Sequence, residues 1–285
     1  MEPVVILGCG FTGRRVARLL LARGVEVTAT SRHPEALPAL PGLHRVPLDV
    51  LEFDSLRTLP RFVPPGARVL LSIPSVRTGG GGLSDPTPRV MEALGRAPGR
   101  IVYLSTTGVY GRQHLVDETT APHPETERER LRCEAERAVL ETRGSGAPFV
   151  LRPAAIYGPF RGVHERMRRG EFLLAGEGAN VVSRIFVDDL ARLVAEALSC
   201  DVAGAYPAAD EEPCESRELA AFCSRLLGLP MPDAAPLERL PETRRAHRRV
   251  DGRAVCRLLG VPLEYASYRT GIPEALRQET LYPNP

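Results

Sequence analysis

Val4-Val5-Ile6-Leu7-Gly8-Cys9-Gly10-Phe11-Thr12-Gly13-Arg14-Arg15-Val16-Ala17 decides the fold. Val4 to Leu7 is an unbroken apolar, branched run, which suits a strand buried on both faces of a parallel sheet. Gly8, Gly10 and Gly13 follow at G-x-G-x-x-G spacing. The first allows a tight turn, the second lets backbone approach a pyrophosphate, and the third lets the next helix pack closely on the strand. From Arg14 the pattern turns helical, with Val16, Leu19 and Leu20 on one side and Arg14, Arg15 and Arg18 on the other. A helix opening there aims its free N–H groups and positive dipole end at one point, which favours a phosphate. Phe11 and Thr12 stand in the same turn and join the glycines as expected dinucleotide contacts.

Working outward, Val25 to Thr30 alternates and reads as the second strand. The residue ending that strand meets the adenosine ribose, where Asp or Glu binds a 2′-hydroxyl and repels a 2′-phosphate. Here Thr30-Ser31-Arg32 supplies two hydroxyls and a guanidinium suited to phosphate, so NADP is expected ahead of NAD. Leu43 to Leu48 is the third strand and ends in Asp49-Val50. That carboxylate either accepts the adenine amino group or caps the next helix. Arg68 to Leu71 is the fourth strand, and its exit, Ser72-Ile73-Pro74, borders the expected cofactor. Gly79 to Gly82 reads as a mobile loop rather than a phosphate cradle.

Asp85 to Ala97 reads as a helix, Arg100 to Leu104 as the fifth strand, and Ser105-Thr106-Thr107-Gly108-Val109-Tyr110-Gly111 follows. This alternation forces an α/β fold with a doubly wound parallel sheet, whose ligands lie beyond the carboxyl ends of the strands. Thr126-Glu127-Arg128-Glu129 is a capping box opening a helix to about Thr142. Arg130 with Glu134, and Arg132 with Glu136, are expected to pair on its exposed face. Phe149 to Arg152 is the sixth strand, a helix runs to Leu198 after Phe186, and Ala203 to Ala209 forms a last strand. The expected organisation is a dinucleotide-binding unit over 1–155, its sheet completed by 183–210, with 156–182 and 211–285 forming a smaller substrate lobe.

Composition sets the class. With 285 residues, 43% hydrophobic and 25% charged, the chain has the balance of an ordinary soluble globular protein. A net charge of +2 argues neither for nor against nucleic acid, and with no dense basic tract interleaved with aromatics none is expected as a partner. The cluster Arg244-Arg245-Ala246-His247-Arg248-Arg249 reads as a solvated loop or helix face. Six scattered cysteines without a C-x-x-C read as small buried apolar residues of a reducing compartment. The histidines show no metal-ligand spacing. Without a signal peptide or spanning segment, a cytoplasmic protein with no membrane partner is expected. All 37 basic residues are arginine; there is no lysine.

The glycine turn, Leu104-Ser105-Thr106-Thr107-Gly108-Val109-Tyr110-Gly111, Leu151-Arg152-Pro153 with Ile156-Tyr157-Gly158-Pro159, and Phe186-Val187-Asp188-Asp189-Leu190 occur in that order. Together they resemble the extended short-chain dehydrogenase/reductases, the NAD-dependent epimerase/dehydratase family, and the tail from Arg249 to Ile272 is also similar to that family's ending. The resemblance implies a Rossmann domain with a C-terminal substrate lobe, and reversible redox chemistry at a sugar or alcohol carbon. Such enzymes place a Ser or Thr after the fifth strand, a Tyr four residues before a Lys on the next helix, and an Asn on the helix before the fifth strand.

The chain departs from that pattern at its centre. Thr106 fits the hydroxyl position, with Thr107 beside it, and Asp85 falls where the Asn is expected. Setting the next helix by Glu134 puts Thr126 and Arg130 at the Tyr and Lys positions; setting it by Glu136 puts Arg128 and Arg132 there. Neither register gives a phenol, and arginine, with a pKa above about 12, is no proton shuttle at neutral pH. Tyr110, Tyr157 and Asp85 are the candidate replacement donors. Arg152, Tyr157 and Arg184 stand at motif positions expected to face the substrate, which suits a small anionic molecule such as a nucleotide sugar. Two functions follow: an atypical NADP-dependent oxidoreductase or epimerase, or a catalytically silent NADP-binding sensor.

Overall fold

The computed structural model describes residues 2–142 and 146–282. Seven strands make one sheet: β1 (Val4–Leu7), β2 (Val27–Ser31), β3 (Leu43–Pro47), β4 (Arg68–Leu71), β5 (Arg100–Leu104), β6 (Phe149–Pro153) and β7 (Gly204–Ala208). Their spatial order is β7-β6-β5-β4-β1-β2-β3, every pairing parallel, so the chain winds outward twice from β1. β1, β4, β5 and β6 are apolar without alternation because helices cover both faces.

Nine α-helices are described: α1 (Phe11–Ala22), α2 (Phe53–Leu56), α3 (Thr87–Leu94), α4 (Glu127–Leu140), α5 (Val163–Arg168), α6 (Val187–Ser199), α7 (Ser216–Leu227), α8 (Arg253–Leu259) and α9 (Tyr268–Leu281). α1 and α6 close one face over a core that includes Ile6, Val16, Leu20, Leu190 and Val194. α3 and α4 close the other over Val5, Leu71, Met91, Tyr103 and Val139. A third apolar cluster joins Tyr157, Met167 and Phe186 to Leu219, Cys223, Tyr268 and Ile272.

The capping box expected at the start of α4 holds, and the ion pairs expected along that helix do not form. Thr126 Oγ1 accepts from Glu129 N–H while the Glu129 carboxylate accepts from Thr126 N–H, the reciprocal capping box. The glycine run 79–82 closes a short antiparallel hairpin, Val76–Arg77 with Leu83–Ser84, in which Thr78 N–H donates to Gly82 O. The pairing expected along the outside of α4 does not form. Arg132 and Glu136 both face inward, and Arg130 reaches back to the carbonyl of Glu125.

Glu136 binds Arg152 of β6 instead, with Nη2 to Oε2 at 2.7 Å and Nε 3.1 Å and 3.2 Å from the two oxygens. Arg152 Nη1 also donates to the Tyr110 hydroxyl at 3.1 Å. Both charges are buried, so each depends on the other for what water would have supplied. This forked pair fixes α4 against the sheet.

Truncating Glu136 to Ala leaves the Arg152 guanidinium buried and uncompensated, and is expected to cost about 3 kcal/mol. Urea denaturation followed by circular dichroism checks this; a loss below about 1 kcal/mol would show that the pair does not anchor the helix.

Candidate active site

The first glycine turn is built as its spacing requires. Gly8 has φ +87°, and a Cβ there would stand 2.7 Å from the Ser72 carbonyl oxygen. Gly13 lets α1 approach β1: a Cβ would lie 3.2 Å from Ile6 Cγ2 and 3.3 Å from Gly8 O. Gly10 differs. Among the described residues nothing lies within 4 Å of the place its Cβ would take, so their packing does not require a glycine there. α1 begins after Gly10 with no side-chain cap and no acidic residue in its first turn. Its leading N–H groups and dipole therefore meet open space, the condition for an anion.

That space is a cavity of about 1010 Å³ at the carboxyl ends of the strands. Gly10, Phe11 and Thr12 line it on one side, Ser72, Ile73 and Pro74 beneath, and Ser105, Thr106 and Thr107 on the other side. Phe11 is held between two cations, with Arg15 4.3 Å and Arg161 4.9 Å from the ring centroid. Arg15 is itself fixed by Asp188 at 2.8 Å, and the neighbouring Asp189 carboxylate accepts from the N–H groups of Glu264 and Tyr265 at 2.8 Å each. The paired aspartates thus tie the tail of the chain to the start of α6.

At the far end of β2, the Thr30 hydroxyl is buried and accepts from Gly8 N–H at 3.2 Å, so it shapes the glycine turn and does not face a ligand. Ser31 Oγ accepts from His33 N–H at 3.1 Å. Arg32 is exposed, with no ion pair among the described residues. Asp49 Oδ1 accepts from Leu51 N–H at 3.0 Å, closing a local turn ahead of α2, whose N-cap is Glu52, so Asp49 does not cap that helix; Val50 packs on the sheet's core.

In the hydroxyl row, Thr106 Oγ1 accepts from Gly108 N–H at 3.1 Å, which leaves its own proton free to donate. Ser105 Oγ is buried and has no hydrogen-bond partner. The row is held by Arg248, which donates from Nη1 to Thr107 O at 2.7 Å, from Nε to Gln113 O at 3.1 Å and from Nη2 to Gly111 O. Burial lowers the Arg248 pKa. Arg248 is therefore no member of a solvated basic face, and its neighbours Arg245 and His247 line the cavity. The sequence carried no signal for this clamp, because its partners are carbonyls more than 130 residues away.

Of the two helix registers, Arg128 and Arg132 both reach the cavity, while Arg130 stays outside. Arg132 is buried under its floor, 3.4 Å from Asp85 Oδ2 and 3.2 Å from Ser75 Oγ, and donates to the Tyr103 hydroxyl. Asp85 also accepts from Thr87 N–H at 3.1 Å and Ser75 Oγ–H at 3.0 Å. It anchors Arg132 and caps α3, and it is not among the cavity-lining residues, so it does not serve as a donor there.

The other donors fail on geometry as well. The Tyr110 side chain is buried, with its hydroxyl on Arg152, and burial raises its pKa. Tyr157 is buried, donates to Ser267 O at 3.4 Å, and is likewise held far above the usual phenol range by burial and Asp210. Among the described residues no tyrosine lines the main cavity. Arg152, expected to face substrate, is committed to Glu136 and lines neither cavity. Arg184 and Tyr157 line a second, adjoining cavity instead.

Substituting Gly13 by Ala forces α1 off β1 and is expected to lower stability by about 1–3 kcal/mol. Gly10→Ala, meeting nothing, should stay within about 1 kcal/mol of the parent. Thermal melting of the two variants decides it; equal losses would show that Gly10 is a packing glycine.

Comparison with known proteins agrees with this architecture. A family model described as the NAD dependent epimerase/dehydratase family matches residues 4–207. Protein YeeZ of Escherichia coli (strain K12) is 31% identical over 172 residues, covering 56% of this chain and 61% of YeeZ. The chain thus spans less than two thirds of that relative. A 2-alkyl-3-oxoalkanoate reductase of Stenotrophomonas maltophilia (strain K279a) is 30% identical over 271 residues, covering 82% of this chain and 78% of the reductase. A functionally unknown conserved protein from Silicibacter pomeroyi DSS superposes with TM-score 0.80 at 28% identity, over 98% of this chain and 99% of that one. MoeE5, solved with UDP-glucose and NAD, superposes with TM-score 0.80 at 22% identity, over 99% and 100% of the two chains, a likeness of fold. Because the family match runs from the first strand of the sheet into its last, the chain belongs to the NAD-dependent epimerase/dehydratase family.

Proposed function

We propose that the chain is an atypical short-chain oxidoreductase or epimerase that holds a nicotinamide dinucleotide, NADP ahead of NAD, and acts on a small nucleotide-sugar-like or carbonyl substrate. The observation that carries it is the open space at Gly10, where an uncapped helix N-terminus faces the hydroxyl row across one cavity. The family membership and MoeE5, with its UDP-glucose and NAD, support the class of cofactor and of substrate. The reductase relative supports a carbonyl compound.

When bound, the coenzyme supplies the redox chemistry at carbon. The chain's own residues bind and orient. Backbone N–H groups from Gly10 to Thr12 take the pyrophosphate. The loop Ser72-Ile73-Pro74 supports the middle of the molecule. Ser31 and Arg32 receive the adenosine ribose, and the free guanidinium with no acidic residue at the strand end favours a 2′-phosphate. Thr106, with its proton free, and the unpartnered Ser105 hydroxyl hold the substrate oxygen. Residues 156–182 and 211–285 supply the substrate side.

The family's Tyr and Lys are replaced by Arg128 and Arg132, with Arg132 serving as a fixed cation beneath the cavity. A guanidinium stabilises developing negative charge but carries no proton at neutral pH. This same feature favours the second reading, a catalytically silent coenzyme sensor. Turnover on carbonyls or nucleotide sugars supports the enzyme. Tight coenzyme binding without turnover on any of them, and a partner captured in its presence, supports the sensor.

Calorimetry with NADPH and NADH tests the common core of both readings. Arg32→Glu should weaken NADPH at least tenfold and NADH by less than threefold; equal losses would remove Arg32 from the 2′-phosphate. Gly10→Val should abolish binding of both coenzymes, and unchanged affinity would overturn the glycine turn as their site. Thr106→Val should abolish turnover with coenzyme affinity retained.

A further inference from the structure

Two imidazoles, of His114 and His247, stand among the walls of the main cavity beside Gly111, Arg112 and Arg248. The rings touch: their centroids lie 4.9 Å apart with the planes at 88°. His114 Nδ1 is 2.9 Å from the carbonyl oxygen of His247. A carbonyl only accepts, so Nδ1 holds a proton, and the lone pair of the neutral ring sits on Nε2. Both residues are exposed, and among the described residues nothing bonds His114 Nε2.

The backbone that carries His114 is pinned on both sides. Arg248 Nε donates to Gln113 O at 3.1 Å, and Arg249 N–H donates to His114 O at 2.7 Å. The second bond opens a short parallel ladder of Leu115–Val116 with Arg249–Val250. Through Nη1 the same Arg248 holds Thr107 O at 2.7 Å. One planar guanidinium therefore sets the hydroxyl row and His114 in fixed relation to each other.

The other ionisable side chains of this cavity, among the described residues, are two carboxylates and several guanidiniums. Glu125 pairs with Arg112 at 2.9 Å, and the Glu129 carboxylate accepts from the N–H groups of Glu125 and Thr126 at 2.8 Å and 2.9 Å. Both acids are thus taken up by the turn that opens α4. Guanidiniums keep their protons at neutral pH. An imidazole both gives and takes a proton there, and it does so at the nitrogen its other partner leaves free.

We infer that His114 is the acid–base residue of the main cavity, exchanging a proton at Nε2 with the substrate oxygen that Thr106 holds. The inference rests on the proposed function and deepens it, because it gives the enzyme reading the proton donor that α4 lacks. In the direction of reduction, hydride from the reduced nicotinamide forms the new bond at the carbonyl carbon. The π pair moves to oxygen, which takes the Nε2 proton, and the imidazolium becomes the neutral Nδ1–H ring. Water then restores the proton. In the reverse direction Nε2 takes the hydroxyl proton while hydride leaves the carbon for the oxidised coenzyme. Nδ1–H stays on the His247 carbonyl throughout.

The test compares turnover of acetoacetate with NADPH, and of UDP-glucose and UDP-glucuronic acid with NADP, in the parent and four variants. These are His114→Asn, His114→Gly, His247→Phe and, as a control, His44→Asn, whose ring meets Glu26 outside the cavity. Asn keeps a donor where Nδ1 stood, so it preserves the bond to His247 O and removes only Nε2. In His114→Asn kcat should fall about a hundredfold or more, with coenzyme affinity within about threefold of the parent. Added imidazole should raise His114→Gly at least tenfold, which a purely structural role would not allow, and His44→Asn should match the parent. Full activity in His114→Asn, beside a dead Thr106→Val, overturns the assignment and leaves the enzyme reading standing. A loss confined to His247→Phe moves the role to the neighbouring ring and also overturns it. A parent that binds coenzyme and turns over none of these compounds sinks the enzyme reading and this assignment together. If the His114 variants fail to fold, heteronuclear NMR of isotope-labelled histidine in the parent decides. The neutral His114 ring is expected as the Nδ1–H tautomer, with an Nε2 signal that moves when coenzyme and acetoacetate are added; an Nε2–H ring or an unmoved signal overturns the assignment.

Discussion

The closeness of α1 to β1 is the constraint on which the rest depends. A Cβ at position 13 would crowd Ile6 Cγ2 at 3.2 Å and the Gly8 carbonyl oxygen at 3.3 Å, so glycine there lets the helix lie close, and that contact helps set the direction in which its N-terminus points. Once α1 is so placed, Gly10 needs no space of its own, and the first free N–H groups look into the main cavity. The turn is held from β2 by the Thr30 hydroxyl and from β4 by the Ser72 carbonyl against Gly8. Packing and anion affinity are thus two results of one backbone geometry.

A chain with no lysine must place every interior cation as a guanidinium, and the structure shows how. Arg100, fully buried, donates to Ala197 O at 2.9 Å and to Ala147 O. Arg248 gathers three carbonyls of the hydroxyl turn, and Arg152 pairs with a carboxylate and a phenol. A planar fork with five donors tolerates burial when each donor finds an oxygen. Arg161 and Arg166 stand apart: each lies over a ring, of Phe11 and Phe172, with no carboxylate within 4.0 Å among the described residues.

The sheet was legible because each strand announces itself locally: an apolar branched run, a glycine turn, then helical periodicity. The α4 start was legible for the same reason, since a capping box lies within four residues. The failures have a common cause. Arg152 sits at a motif position, but whether a guanidinium faces ligand or protein is decided by what lies across from it, and Glu136 is on another element. The helix register was open in the sequence because Glu134 and Glu136 are equivalent as letters; only burial against Arg152 distinguishes them. Arg248 was read as surface because a basic run has the same appearance whether it meets water or backbone carbonyls.

Loss of a phenol changes what the main cavity does best. Its walls offer Ser105 and Thr106 hydroxyls, the Arg128 guanidinium and the fixed Arg132, all of which favour a negatively charged oxygen. A hydroxyl and a guanidinium shuttle no proton at neutral pH, and the imidazoles among the cavity's walls are those of His114 and His247. On the proposed reading, the hydroxyls and guanidiniums contribute orientation and charge stabilisation, and a proton exchanges with water or with those imidazoles. On that reading, the absence of a phenol from α4 costs that helix proton transfer and leaves binding intact, because the two tasks reside on different elements. Coenzyme binding is there assigned to α1 and the strand ends, and a phenol's proton relay would belong to one turn of α4. An enzyme and a sensor can consequently share this scaffold, and the side chain at position 128 is where their requirements diverge.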